Sequence, residues 1–327
     1  MDELLSKIKR INSKKEIITL AKDIGTPERI PTGSISLDLA IGGGWPIGRI
    51  VTLWGPKGST KTTLALHGIK NAQALGKQSL FIDAEQSFDG EWAKKIGIDT
   101  ETLPVITNGN LRDILDSFQT ENLAKDIDMV VVDSISSIFT DKYLNEDDRS
   151  IGSQAKATKE IMIKLQYWNS KCLIMLISQQ TIKMANQAVY NYWTGGNALD
   201  HLSSLIVGLH SNIKSKDEQI IKKISIGDKN LQKLVGQKVR WKVEKSRISI
   251  PLEEGQYKFY IDNGQIDERY ELVRLGIVLG VIDTSGSWLS FNGIKVQGIE
   301  NFEKELEDDS ILELIRNEVF EKTKTRR

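Results

Sequence analysis

The chain has 327 residues, 39% hydrophobic and 27% charged, enough for a full-sized core with a smaller appendage. Its 44 basic and 44 acidic residues cancel, so composition announces no nucleic-acid binder, and the lone Cys172 excludes an internal disulfide and fits a reducing compartment. The charged N-terminus MDELLSKIKRINSKKE lacks a signal-peptide core, and the longer apolar runs fall far short of the roughly 20 residues of a membrane helix, so a cytoplasmic protein without membrane contact is expected.

In chain order, a short helical N-terminus leads to 16-EIITLA-21, which reads as an extended segment. Strands are expected at 49-RIVTLWG-55, 79-SLFIDA-84, 103-LPVIT-107, 128-DMVVVDS-134 and 173-LIMLIS-178. Helical spacing falls between them, at residues 61–75, 111–124 and 155–169. Strands of near-continuous hydrophobicity are buried on both faces, which makes this an α/β fold with a doubly wound, mainly parallel central sheet. Ligands of such sheets bind beyond the carboxyl ends of the strands. His67, His201 and His210 are too scattered for a structural zinc site and read as surface or core residues. From Lys214 to Arg247, eleven basic residues stand against four acidic ones. That excess suits either a track for a phosphate backbone or a solvated sheet edge. Beyond Gln265 the pattern changes to a helix at 267–280, a hairpin at 285–298 turning at Asn292-Gly293, a helix at 301–321 and a basic tail. A domain boundary is expected near Gln265, with a small C-terminal α/β domain, 266–327, after it.

The segment 55-GPKGSTKTT-63 follows a strand and opens a helix, the context of a phosphate-binding loop. Gly55, Pro56, Lys57, Gly58, Ser59, Thr60, Lys61, Thr62 and Thr63 would present backbone N–H groups to phosphate oxygens at a helix N-terminus. Lys61 would reach the β- and γ-phosphates, and Thr62 would offer its hydroxyl to Mg²⁺. Thr60 stands where the pattern has glycine. If that position needs positive φ, a β-branched residue is strained by roughly 1–2 kcal/mol; if it lies within the first helical turn, the cost is small. Asp133, closing a buried strand, fits the second ligand of the ion, and Glu85, closing 80-LFIDAE-85, can point into the same cleft as a base for water.

Together these residues resemble the RecA family of DNA recombinases, through 31-PTGSISLDLAIGGGWPIGRIVTLWGPKGSTKTT-63, 81-FIDAEQSFD-89, 130-VVVDSISSI-138, 195-GGNAL-199 and 285-SGSWLSFNGIKVQG-298. The resemblance implies a RecA-type ATPase core using ATP and Mg²⁺. It makes Glu85 the catalytic glutamate, Gln179 the switch that senses the γ-phosphate, and Asp89 with Trp92 the residues that meet adenine. Lys245 and Arg247 look like cations that reach a neighbouring subunit's ATP across a filament interface. Two DNA-binding loops are implied, at 142–154 and 180–196. The second carries Lys183, Tyr190, Tyr192 and Trp193, a mixture suited to phosphate contact and base stacking, and leads into Gly195, Gly196 and Asn197. The first carries Glu146, Asp147 and Asp148, which disfavours phosphate contact and shifts attention to Arg149, Lys156 and Lys159. Residues 1–30 look like an oligomerisation arm that adds a strand to a neighbour.

The function implied is an ATP-dependent recombinase that polymerises on single-stranded DNA and exchanges strands with homologous duplex, in a bacterial or phage-infected cytoplasm. A RecA-fold nucleic-acid motor and a low-turnover nucleotide-dependent scaffold are the alternatives.

Overall fold

A computed structural model describes residues 25–107, 114, 126–135, 163–165, 172–185, 188–193, 196–226, 229–249, 253–306 and 309–324. Strand β1 (Arg29–Ile30), helix α1 (Ile35–Ile41) and strand β2 (Trp45–Pro46) form an entry module in which the two strands pair antiparallel. Ser34 caps α1 by accepting from the Leu37 amide, and Gly42, at φ 94°, closes it in the left-handed conformation that glycine adopts without a Cβ penalty.

The core runs through β3 (Ile50–Gly55), α2 (Lys61–Ala74), β4 (Ser79–Asp83), α3 (Gly90–Ile96), β5 (Val105–Ile106), β6 (Met129–Asp133), β7 (Leu173–Ala185), β8 (Ala188–Trp193), α4 (Gly196–Leu202) and β9 (Leu205–His210). The order β9-β3-β7-β6-β4-β5 is parallel throughout. The period of two along each strand sends alternate residues to opposite faces. Val51, Leu53, Phe81, Val131 and Met175 pack with α2 and α3 on one face, while Ile50, Trp54, Ile82, Val132 and Ile174 pack with Leu165 and Leu199 on the other. Burial on both sides is why these strands read as unbroken apolar runs.

Beyond β9 the sheet continues antiparallel through β10 (Gln219–Ile226), β11 (Lys229–Ser246), β12 (Glu254–Tyr260) and β13 (Gln265–Ile266). The basic stretch 214–247 thus becomes a hairpin and a long strand, with the exposed Lys222 directly across from the exposed Lys233. Then come α5 (Glu268–Val278), the three-stranded sheet β14 (Asp283–Ser285), β15 (Trp288–Phe291) and β16 (Ile294–Gln297), and helices α6 (Ile299–Glu305) and α7 (Asp309–Lys324). Leu272, Val273, Ile282, Leu289, Phe302 and Ile315 form a separate apolar cluster here, against which Ile35 and Leu39 of α1 also pack.

A buried carboxylate joins this region to the core. Glu271 of α5 accepts from Ser34 Oγ at 2.6 Å, from the amides of Ile35 and Ser36, and from Ser36 Oγ. Burial pushes its pKa up to about 7 against the pull of those donors.

The strands at 49–55, 79–84, 103–107 and 128–134 and the helices at 61–75 and 267–280 stand within about three residues of expectation, and the strand at 173–178 starts as expected but extends seven residues further. Three differences are instructive. The segment 180–196, expected as a loop, is largely a β-hairpin, because β7 runs on to Ala185 and pairs with β8. The single helix expected at 301–321 is two, parted at an acidic run whose Asp residues favour helix starts over interiors. The hairpin at 285–298 has a third strand, β14, beside it, and turns at Asn292 and Gly293, both at positive φ. The extended segment 16–21 lies outside the described residues; of the helices at 111–124 and 155–169, the described residues 114 and 163–165 are helical.

His67, on α2, is buried and bonds through Nε2 to the Gly264 carbonyl at 2.9 Å. Burial lowers its pKa to about 4, with Lys70 adding to the effect. The unfolded chain therefore binds a proton that the folded chain refuses between pH 6.5 and 4, so the contribution is complete above about 6.5 and is lost as pH falls. Between pH 7 and 5, His67 is expected to cost the parent about 2 kcal/mol of unfolding free energy. Urea unfolding of parent and His67→Gln at both pH values should show a smaller pH effect in the variant.

Candidate nucleotide site

The carboxyl ends of four neighbouring strands converge. Register places Gly55 of β3 level with Gln179 of β7, and Asp83 of β4 level with Asp133 of β6. The loop 56–60 leaves β3 and turns into α2, whose N-terminal amides face the same cleft. Gly55 is required by close approach, since a Cβ there would lie 2.0 Å from the Leu209 carbonyl oxygen. Ser59 is buried and donates to the Pro56 carbonyl at 2.8 Å.

Lys61 lies across the loop, donating to the carbonyls of Gly55 at 3.1 Å and Pro56 at 2.8 Å. Burial lowers its pKa, opposed by Asp133 and Glu85 and reinforced by the exposed Lys57. Thr62 donates from Oγ1 to Asp133 Oδ2 at 2.5 Å, and Thr63 follows it in the first turn of α2. Burial, aided by Glu85 and Asp83 and opposed by the Thr62 hydrogen bond and Lys61, raises Asp133 to about 6. A hydroxyl beside a buried carboxylate crowded by two other carboxylates is a fitting donor set for a hard divalent cation, whose charge would relieve that crowding. Thr62 and Asp133 are the residues that would hold Mg²⁺.

Glu85 is exposed at the rim, and its Oε1 accepts from Gln179 Nε2 and Ser134 Oγ, each at 2.5 Å. Two donors on one oxygen fix the carboxylate in the mouth of the cleft. Asp83, level with Asp133, accepts from the amides of Ser87 and Phe88 and so shapes the turn that carries Glu85. Asp89 caps α3 by accepting through Oδ1 from the amides of Glu91 and Trp92. Trp92 is half-buried and sits edge-on to Phe259, ring centroids 6.1 Å apart, with Lys95 Nζ 5.6 Å from its ring. Asp89 thus caps, and Trp92 lies on, the helix α3 that packs beside α2.

Thr60 settles which of its two sequence readings holds. It is the N-cap of α2 at φ 63°, ψ 22°, in the left-handed region, so the residue is strained. Its Oγ1 lies 2.8 Å from the hydroxyl of Tyr257.

Lys245 and Arg247 stand at the end of β11, toward the amino-terminal end of β3 and away from its carboxyl end. Lys245 pairs with Ile206, which is level with Thr52 of β3, and the Arg247 amide bonds to the Ser204 carbonyl. The Ser204 amide in turn meets Ile50. At roughly 3.3 Å per residue, Arg247 is about 17 Å from the level of Gly55. Its guanidinium donates to the His201 carbonyl at 2.6 Å, and burial with the adjacent Arg247 lowers the Lys245 pKa.

The hairpin after Gln179 carries the proposed DNA residues in paired register, Lys183 opposite Tyr190, Thr181 opposite Tyr192 and Gln180 opposite Trp193, and Gly196 and Asn197 open α4. Arg149, Lys156, Lys159 and Gly195 lie outside the described residues. Sequence reading missed Ser134, which directly follows Asp133, and also Tyr257 and Gln237, whose partners in the loop are 197 and 179 residues away.

Among the described residues no helix is long and apolar enough to cross a membrane. The family model described as RecA N-terminal domain matches residues 1–266. The chain is 33% identical over 320 residues to Protein RecA of Brucella anthropi, covering 94% of this chain and 84% of that protein. To Protein RecA of Bartonella quintana it is 34% identical over 310 residues, covering 92% and 85%. To Protein RecA of Ruegeria pomeroyi it is 33% identical over 325 residues, covering 96% and 89%. With the strand-ending carboxylates, the phosphate loop and a family match across most of its length, this chain belongs to the RecA family.

Proposed function

We propose that this protein is a DNA-dependent ATPase and homologous recombinase that assembles on single-stranded DNA, pairs it with homologous duplex and exchanges strands. The observation that carries the reading is the convergence of Lys61, Thr62, Asp133, Glu85 and Gln179 at the strand ends of a RecA-family chain. The fold match alone would serve many activities, so the site has to carry the chemistry.

In this reading the α2 N-terminus and Lys61 hold the triphosphate, and Thr62 with Asp133 holds Mg²⁺, which when bound neutralises charge between the β- and γ-phosphates. Asp89 and Trp92 receive the adenine. Glu85 accepts a proton from water as the water oxygen bonds the γ-phosphorus and the bond to ADP breaks. Gln179 senses the γ-phosphate, and because it lies on β7, any displacement passes along one continuous strand into the hairpin that ends at Trp193. The hairpin residues Lys183, Tyr190, Tyr192 and Trp193, with Gly195, Gly196 and Asn197, contact DNA, joined by Arg149, Lys156 and Lys159. Residues 1–30 act as the oligomerisation arm, 31–265 as the ATPase core and 266–327 as the lobe for duplex DNA. The protein works in the cytoplasm, where its single buried cysteine stays reduced.

ATP hydrolysis measured with and without single-stranded DNA, with electron microscopy of the same samples, tests this. Turnover that rises with DNA, together with helical filaments and strand exchange with homologous duplex, is the expected result. Closed rings would favour a motor, and filaments without turnover a scaffold.

A further inference from the structure

Two side chains of the antiparallel extension reach into the phosphate loop. Tyr257 of β12 is wholly buried, and its hydroxyl meets Thr60 Oγ1 at 2.8 Å. Gln237 of β11 is 3% exposed and donates from Nε2 to the Gly58 carbonyl at 2.9 Å. Register puts Tyr257 opposite Val239 and Gln237 opposite Phe259, so the two lie on one face of the extension, the face whose Phe259 also meets Trp92. The Thr60 carbonyl takes the Leu64 amide at 2.9 Å, the first bond of α2, so the conformation of Thr60 sets where that helix begins.

We propose that Tyr257 is a positioning residue for nucleotide binding, whose hydrogen bond holds Thr60 in a left-handed conformation that glycine would adopt unaided. Gln237 holds the opposite side of the loop through a backbone atom and is indifferent to the residue at 60. The inference rests on the ATP-binding reading of the loop. A hydroxyl on a left-handed, β-branched residue is unfavourable on backbone grounds. It becomes tolerable because that hydroxyl is a hydrogen-bond partner of the buried Tyr257 phenol. Removing the phenol leaves Thr60 strained and its hydroxyl unsatisfied, and the loop relaxes away from the geometry that presents its amides.

Four proteins test it: the parent, Thr60→Gly, Tyr257→Phe and the double variant, each titrated with a non-hydrolysable ATP analogue and Mg²⁺ without DNA. Tyr257→Phe in the parent is expected to raise Kd roughly five- to tenfold. In the Thr60→Gly background the same change should move Kd by less than about twofold, because the coupling is gone. Turnover should follow, with KM rising and kcat at saturating ATP nearly unchanged. Gln237→Met should weaken binding by the same factor in both backgrounds. The nucleotide-free proteins give a second reading: Tyr257→Phe lowers Tm by roughly 2 °C, and Thr60→Gly restores it. Equal effects of Tyr257→Phe in both backgrounds, in Kd and in Tm, would overturn the proposal. Coupling in Tm from a parent that binds no nucleotide would uphold the clamp and sink the ATPase reading instead.

Discussion

Glu85→Gln is expected to lower DNA-stimulated ATP turnover by about 10²- to 10⁴-fold while nucleotide binding and filament formation persist. The substitution keeps side-chain length and an oxygen able to accept from Ser134 and Gln179, which donate to Oε1 in the parent. What disappears is the capacity to take a proton. The geometry therefore separates two jobs that a deletion would confuse, since Glu85→Ala would also release Gln179 and disturb whatever β7 transmits. Single-turnover hydrolysis, with filament length measured by microscopy on the same samples, is the check. Turnover within a few-fold of the parent would remove Glu85 from the chemistry.

Replacing both Lys245 and Arg247 with alanine should abolish DNA-stimulated turnover by about 10³- to 10⁵-fold, the range for cations supplied in trans to a phosphoryl transfer. Nucleotide binding to the isolated subunit should stay intact, because both residues lie along the sheet away from their own phosphate loop. Lys61→Ala should be inactive for the complementary reason: it keeps the cations and loses the cradle. Co-assembly of the two dead proteins then restores activity wherever an intact loop meets a neighbour's intact cations, roughly a quarter of contacts under random head-to-tail mixing. Copolymers that form and stay silent would mean the two residues act in their own subunit or not at all. The lowered Lys245 pKa belongs to the same picture, since a burial cost that weakens its charge is one a neighbouring phosphate would offset.

Much of this arrangement was legible from sequence because it rests on short-range rules. Buried parallel strands show as uninterrupted apolar runs, so β3, β4, β6 and the first half of β7 could be drawn, and with them the cleft where Lys61, Thr62, Glu85 and Asp133 meet, to which the family resemblance added Gln179. The antiparallel extension was not, since β11 alternates lysine with apolar residues and faces solvent along part of its length, a pattern weak in isolation. The family resemblance made 180–196 read as a loop, where pairing with β8 turns most of it into a hairpin. The tie between Thr60 and Tyr257 had no local signal of any kind. Thr60 stands out from its neighbours as a departure from the loop pattern, but nothing near either residue points to the other, and only folding brings the hydroxyls together.

The spacing between Arg247 and the loop of its own subunit has a consequence for assemblies of finite length. If each nucleotide is completed by the next molecule along, an open chain of n subunits holds n − 1 finished sites, and one terminus always carries a nucleotide that lacks its donors. The two ends are then chemically unlike, and loss of subunits acquires a direction set by the fold alone.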